Sequence, residues 1–411
     1  MDITLHKSKI VNRSSEITIT GSKSESNRLL LLQALFPELE INNLSNSDDT
    51  LVMSKALRSS SHNIDVHHAG TAMRFLTAFF STQKGREVIL TGSHRMQERP
   101  IQILVAALQQ LGAIITYEKI PGYPPIKITG KTLTESKVTL KANVSSQYIS
   151  ALMLIAPTLK NGLELTLKGR ITSVPYINMT LSLLNQIGIE TSFNENVIVI
   201  KPALQNLISK AITVESDWSS ASYYYSIVAL SDVGNEIKLS AYKRESLQGD
   251  SILAKIYRAF GVETTFNEES IVLKKVSVAN NDLLIKWDLS NAPDIAQTIA
   301  VTCLGLELGC ELSGLHTLKI KETDRLEALK IEIEKFGTQV EITQDTLSIS
   351  SVVPLNNDVS INTYNDHRMA MAFAPLALKN GFKLNDANVV SKSYPNFWVD
   401  LQKIGFSLSE S

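Results

Sequence analysis

APDIAQTIAVTCLGLELGCELSGLHTLKIKETDRLEALKIEIEKFGTQVEITQDTLSIS, running from Ala292 to Ser350, holds one full structural period of this chain. It opens on a helix, APDIAQTIAVTCLGL, that is apolar on nearly every side and so belongs in a core. CELSGL follows, a short β-like run closing on a glycine turn. A second helix then presents Leu326, Leu329, Ile333 and Phe336 on one face, with Gly337 placed for the left-handed cap that ends a helix. QVEITQDTLSIS alternates on either side of a polar turn and reads as a hairpin. With a strand leading in, the period is β-α-β-α-β-β.

The same period recurs along the chain. Apolar helices start at SESNRLLLLQAL (Ser24), AGTAMRFLTAFF (Ala69), SSQYISALMLIA (Ser145), SSASYYYSIVAL (Ser219) and DHRMAMAFAPLAL (Asp366). After a first interval of about 45 residues, successive starts lie roughly 70 to 75 apart, the mark of a repeat architecture. Amphipathic helices lie between them, and Leu111-Gly112, Ile187-Gly188, Phe260-Gly261, Phe336-Gly337 and Ile404-Gly405 end all but the first. That first one, DDTLVMSKALRS, runs out into serines instead. The β-like runs VILTGS, LTLKGR, IKLSAY, CELSGL and FKLNDA precede the later amphipathic helices. Six units divide into three plus three. The expectation is an α/β protein of two similar domains, 20–215 and 1–19 plus 216–411, with the N-terminal strand pairing in the second.

Composition narrows the class. A chain of 411 residues exceeds one compact core and suits two domains. Its 44% hydrophobic and 20% charged content are ordinary for a globular protein. No apolar run reaches the roughly 18 residues that span a bilayer, and MDITLHKSKIVNRSSEITIT lacks the apolar stretch of a signal peptide. Cys303 and Cys310 read as reduced packing residues. A net charge of −1 argues against a general nucleic-acid binder. The expectation is a cytoplasmic protein, with no membrane or nucleic-acid partner. With no P-loop, dinucleotide fingerprint or metal-ligand spacing, neither cofactor nor metal is expected.

Helix N-termini carry free N–H groups and partial positive charge, and so bind anions. In GSKSESNR (Gly21 to Arg28), Lys23 and Arg28 sit near such an end, where the dipole disfavours cations. A bound anion resolves that conflict; solvated cations on a capped helix are the plain alternative. RMQERPI places Arg95 and Arg99 four apart, with Pro100 at a first helical position and Glu98 able to neutralise one arginine. In KIKETDRLEAL, Thr323 is read as the helix cap, with Lys321, Glu322, Asp324 and Arg325 crowded about the first turn. A carboxylate amid cations there can exchange a proton beside a bound anion. YNDHRMAMAF adds His367 and Arg368, and APDIAQTIA adds Asp294, which reads equally well as a plain N-terminal carboxylate. Lys392 is unremarkable alone, and His68 is either a site residue or a loop histidine.

Together GSKSESNR, AGTAMR, RMQERPI, SSQY, SVPY, SDWSSAS, APDIA, IKETDR, NDHRMAM and SKSYP, in that order over essentially the whole chain, resemble the EPSP synthase family of enolpyruvyl transferases. The resemblance implies an inside-out α/β barrel in each of two domains of three βαβαββ repeats, with the active site in the interdomain cleft. It implies transfer of the enolpyruvyl group of phosphoenolpyruvate to the 5-hydroxyl of shikimate 3-phosphate, by a monomer. Carried over residue by residue, it assigns Lys23, Gly70, Arg99, Gln147, Arg325, Arg368 and Lys392 to phosphoenolpyruvate. To shikimate 3-phosphate it assigns Lys23, Ser24, Arg28, Ser145, Ser146, Gln147, Ser173, Tyr176, Asp294, Thr317 and Lys321. Asp294, Glu322 and Lys23 are the implied proton carriers. His68 and Thr317 both stand where the family has asparagine. Ala69-Gly70-Thr71 resembles the motif of members sensitive to glyphosate. The rival transferase acting on UDP-N-acetylglucosamine pairs its first lysine with asparagine, unlike Lys23-Ser24, and carries a first-domain loop cysteine that this chain lacks. A non-catalytic anion-binding member of the fold is the remaining alternative.

Overall fold

A computed structural model describes the chain apart from residues 11–13, 142–144, 170, 172–173, 204–210, 281–283, 351–353 and 411. The chain divides into two compact units, Gly21–Val214 and the combination of Met1–Thr20 with Glu215–Ser411.

In Gly21–Val214, Asn63–Asp65 runs parallel to Glu87–Thr91, which is antiparallel to Ile126–Thr129, itself antiparallel to Ile114–Tyr117. Lys137–Lys141, Leu163–Lys168, Val197–Ile200 and Thr191–Asn194 repeat that order and sense. Each parallel pair needs a crossover, which the buried helices Gly70–Thr82 and Ser146–Ile155 supply. Among the described residues the first repeat has only two strands, Glu40–Asn42 beside Ala211–Thr213, so its serine-rich exit leads to no hairpin of its own.

The other unit repeats the plan three times. Ser14–Ile17 pairs parallel with Glu236–Ser240, followed by Ser270–Lys275 and Val262–Phe266. Ile285–Asp288, Cys310–Ser313, Leu347–Ile349 and Glu341–Ile342 form the next sheet. Ile285, Cys310 and Ile349 lie opposite one another there and are all buried, so one face of the pleat is apolar. In the last sheet Ser360–Ile361 pairs with Phe382–Leu384, and Ile3–Leu5 lies between Phe382–Leu384 and Leu408–Glu410.

The apolar helices are core elements. All ten residues of Ala296–Gly305 and all seven of His367–Phe373 are buried, as is almost all of Trp218–Leu230. Their small hydroxyl residues let the helices approach and satisfy one another: Ser222 meets Thr298 at 3.0 Å, and Thr302 donates to Ser226 at 2.8 Å. Proline ends the α geometry twice, at Pro157 and Pro375, where Ala156–Thr158 and Ala374–Leu378 continue as 3₁₀ turns. The five glycines that end the amphipathic segments all have positive φ, from 73° at Gly261 to 110° at Gly405. In the fourth repeat that segment is three short turns, Gly249–Ile252, Leu253–Ile256 and Tyr257–Phe260. Both of its ends are pinned, by Gln248 on Ser216 and by Lys275 Nζ on the Phe260 carbonyl.

Candidate active site

A buried polar cluster in the second unit forms around Arg325, which is 1% exposed. Its Nε donates to Asp366 at 2.6 Å, Nη1 to Asp294 at 2.8 Å and Nη2 to Glu322 at 2.8 Å. Burial pulls this guanidinium down, and Asp366, Glu322 and Asp294 more than offset it, so its pKa is raised. Arg368 donates to the Asp294 carbonyl at 3.1 Å and to the Ser219 hydroxyl at 3.2 Å. Lys321 Nζ lies 3.5 Å from Asp294. Asp294 therefore sits within 3.5 Å of three cations, at the turn Pro293–Ile295 that leads into a buried helix.

Local sequence explains these placements, with corrections. Asp324, not Thr323, caps Arg325–Glu334, accepting from Leu326 at 3.1 Å and Glu327 at 3.2 Å. A carboxylate is the stronger acceptor for helix N–H groups, and Lys321 and Glu322 consequently precede the helix. Asp366 caps His367–Phe373 by accepting from the Arg368 N–H at 2.9 Å while also holding Arg325. Before it, Tyr364 and Asn365 both take left-handed φ values, 53° and 55°. The Tyr364 hydroxyl is anchored on the buried Glu332 at 2.6 Å, and Lys392 Nζ donates to the Asn365 carbonyl at 2.5 Å. Thr317 Oγ1 is buried and has no partner among the described residues.

The unit Gly21–Val214 carries the other predicted residues. Lys23 opens Lys23–Leu35 and pairs with Asp49 at 3.3 Å. Ser24 is half-buried, and its carbonyl accepts from Arg28 at 2.8 Å. Arg28 also donates to Thr180 at 2.8 Å and Ser150 at 2.9 Å, with its face toward Tyr176. Burial lowers its pKa to about 10. Much of Arg28 is thus spent joining helices. Arg74 behaves alike, donating to the carbonyls of Gly70 and Pro100, with burial and the neighbouring Arg99 lowering it to about 10.

Pro100 stands two residues before Gln102–Gln110 and not at its first position, because its carbonyl accepts from Arg74 and from Tyr148. The two arginines of RMQERPI divide: exposed Arg95 pairs with Glu98 at 3.1 Å, while the Arg99 guanidinium lies over Gly70. Ser145 caps Ser146–Ile155, Ser146 is buried beneath it, and Gln147 donates to Thr71 at 3.0 Å. His68 is exposed and meets Ser93 at 2.8 Å. Ser173 lies outside the described residues. The structure therefore joins Asp294, Lys321, Glu322, Arg325 and Arg368 in one network, Gly70 with Arg99, and Arg28 with Tyr176. Asp49, Asp366, Ser219 and Asp250 join these groups without a signal in the sequence, save that Ser219 lies in the motif SDWSSAS and Asp366 in NDHRMAM.

Repeats of this kind, with cations and carboxylates at the starts of buried helices, give the chain the fold of the enolpyruvyl transferases. It matches an EPSP synthase from Acinetobacter baumannii with a TM-score of 0.79 at 19% identity, covering 100% of both chains. It also matches the enolpyruvyl transferase NikO from Streptomyces tendae with a TM-score of 0.71 at 12% identity, covering 100% of this chain and 98% of that one. The chain belongs to the EPSP synthase (3-phosphoshikimate 1-carboxyvinyltransferase) family, whose model matches residues 58–401. A 3-phosphoshikimate 1-carboxyvinyltransferase from Bacteroides fragilis strain YCH46 is 47% identical over 397 residues, 95% of each chain.

Proposed function

We propose that this chain transfers the enolpyruvyl group of phosphoenolpyruvate to the 5-hydroxyl of shikimate 3-phosphate, releasing phosphate. The observation that carries this function is the 47% identity over 95% of the chain to a relative of that name, with every charged residue the chemistry needs present. Protonation of the methylene carbon and attack at the adjacent carbon give a tetrahedral phospho-ketal, which loses phosphate and a methyl proton. Asp294 orients the 5-hydroxyl and takes its proton; its three cation neighbours suit a buried carboxylate doing so. Glu322 shuttles the methyl proton, aided by Lys23, and its side chain is 29% exposed and so open to substrate. Arg99, Arg325, Arg368 and Lys392 hold phosphoenolpyruvate, with the backbone at Gly70 and with Gln147. Ser24, Arg28, Ser145, Ser146, Ser173, Tyr176, Thr317 and Lys321 serve shikimate 3-phosphate.

The chain acts as a cytoplasmic monomer in this proposal, in keeping with its free, buried Cys303 and Cys310. Among the described residues, no helix is long and apolar enough to cross a membrane. Phosphate release from phosphoenolpyruvate with shikimate 3-phosphate, run beside the same assay with UDP-N-acetylglucosamine, tests the activity. Release with only the second acceptor overturns it. Light scattering after size exclusion tests the monomer.

A further inference from the structure

We propose that Asp250 is a positioning residue for phosphoenolpyruvate, acting on Arg368 through the Ser219 hydroxyl, and that its carboxyl takes up a proton when the substrate anion docks. The inference rests on the assignment of Arg368 to phosphoenolpyruvate made above.

Asp250 is 4% exposed and lies in the turn Gly249–Ile252. It accepts the Ser219 hydroxyl proton. The Ser219 oxygen accepts in turn from Arg368 Nη2 at 3.2 Å. With its proton drawn to the carboxylate, the serine keeps a lone pair facing the guanidinium. The charged groups that face Asp250 are Asp294 from Pro293–Ile295, Arg368 from His367–Phe373 and Asp217 from the cap of Trp218–Leu230.

Charge balance then singles out Asp250. Among the described residues, five carboxylates stand around Arg325, Arg368 and Lys321: Asp294, Glu322, Asp366, Asp250 and Asp217. An anion brought to Arg368 adds negative charge where carboxylates already outnumber cations. Asp294, Glu322 and Asp366 each lie within 2.8 Å of Arg325. Asp217 is half-buried and accepts from the Ser219 N–H at a helix start. Among the described residues Asp250 has no ion pair within 4 Å, and its hydrogen bond is to a neutral hydroxyl. It has the least to hold it charged, so the proton lands there. Burial pushes the Asp250 carboxyl up to about 7, with Asp294 adding to the rise and Arg368 opposing it.

The test is the KM for phosphoenolpyruvate from about pH 6 to about pH 9, with shikimate 3-phosphate saturating, in the native enzyme, Asp250→Asn and Ser219→Ala. Native KM should rise above pH 7 by about three- to tenfold more than in Asp250→Asn, a coupling of up to about one pKa unit, with no matching step in kcat. Asparagine keeps the size and the acceptor oxygen while mimicking the protonated form, so its KM should stay near the low-pH value. Ser219→Ala removes a hydrogen bond that favours the ionised carboxyl and cuts the link to Arg368, so the rise should shrink and move to higher pH. Coinciding profiles in native enzyme and Asp250→Asn overturn the inference. Should that variant fail to fold, an unshifted rise in Ser219→Ala overturns it alone. A native enzyme releasing no phosphate from these substrates sinks the functional assignment first, and the inference with it.

Discussion

Gly70→Ala isolates the role of Arg99. A Cβ built on Gly70 would stand 2.7 Å from Arg99 Nη1, 3.0 Å from Nη2 and 3.1 Å from Cζ. The guanidinium must retreat by about 0.7 Å to reach ordinary van der Waals contact. It is the far end of a flexible side chain, so folding should tolerate the move. Gly70 is also the first residue of Gly70–Thr82, where alanine improves helix propensity by up to about 1 kcal/mol. Tm should therefore hold or rise. A charge-assisted hydrogen bond contributes roughly 1.5–3 kcal/mol. Displacing it without deleting it should cost about 1–2 kcal/mol, so KM for phosphoenolpyruvate should rise about 5- to 30-fold. On the proposed assignment of Gly70, glyphosate, with its longer backbone, should meet the new methyl group as well, so its inhibition constant should rise by a larger factor. Steady-state kinetics with inhibitor titration and a thermal melt check all three quantities. A KM within twofold of native removes Arg99 from phosphoenolpyruvate. Equal factors for KM and the inhibition constant remove the steric wall.

Glu322→Gln should cut kcat by about 10² to 10⁴ with little change in substrate affinity, since the amide keeps the Arg325 contact but exchanges no proton; near-native turnover would pass the proton role to Lys23 or Asp294. Arg325→Ala should raise KM for phosphoenolpyruvate steeply and also destabilise the fold by roughly 3–5 kcal/mol, because Asp294 and Asp366 lose a buried partner; an unchanged melt contradicts that. Asp250 keeps its proton in the folded chain at pH values where the unfolded chain has lost it, so native stability should fall relative to Asp250→Asn as pH rises from about 4 to about 7, by on the order of 2–4 kcal/mol in urea melts. A constant gap across that window argues against a raised carboxyl. Lys275→Met should lose about 2–4 kcal/mol, because Lys275 donates to the Ala229 and Phe260 carbonyls at 2.7 Å each, at the ends of two helical segments; a chemical melt within 0.5 kcal/mol of native refutes the clamp.

The fold was legible because its signals are local. A helix apolar all round has one home, and an apolar residue followed by glycine marks a helix end whatever lies elsewhere. The strand-like runs and hairpins had the same character, and they are strands here, as at Cys310–Ser313 and Glu236–Ser240. The candidate site was legible in its cations and in Asp294 and Glu322, but not in its other carboxylates. Asp49, Asp250 and Asp366 each sit at or beside a helix start, where carboxylates have an ordinary capping use. Asp366 serves both purposes at once, and nothing near it in sequence reveals Arg325, 41 residues away. Ser219 and Arg368 are 149 residues apart. Arg28 shows a second gap: near a helix start it reads as an anion ligand, and nothing near it in sequence reveals that four described groups, Ser24, Ser150, Thr180 and Tyr176, also engage it. The cap lies one position past Thr323, and the helix starts two positions past Pro100.

The sheet that places Ile3–Leu5 between Phe382–Leu384 and Leu408–Glu410 sets an order of events during synthesis. Ile3–Leu5 waits for Leu408–Glu410, made some four hundred residues later. Gly21–Val214 is contiguous and can complete its sheets while the ribosome is still working. The flanking unit cannot, because its third sheet lacks a strand until Leu408–Glu410 emerges. A ribosome stalled before Leu408 would therefore release a chain with one finished unit and an open sheet edge, the kind of surface that recruits chaperones or a second unfinished copy. The same pairing sets Ile3 opposite Glu410, so a short linker between these two strands, with a break opened at an exposed turn, should leave every strand pair intact.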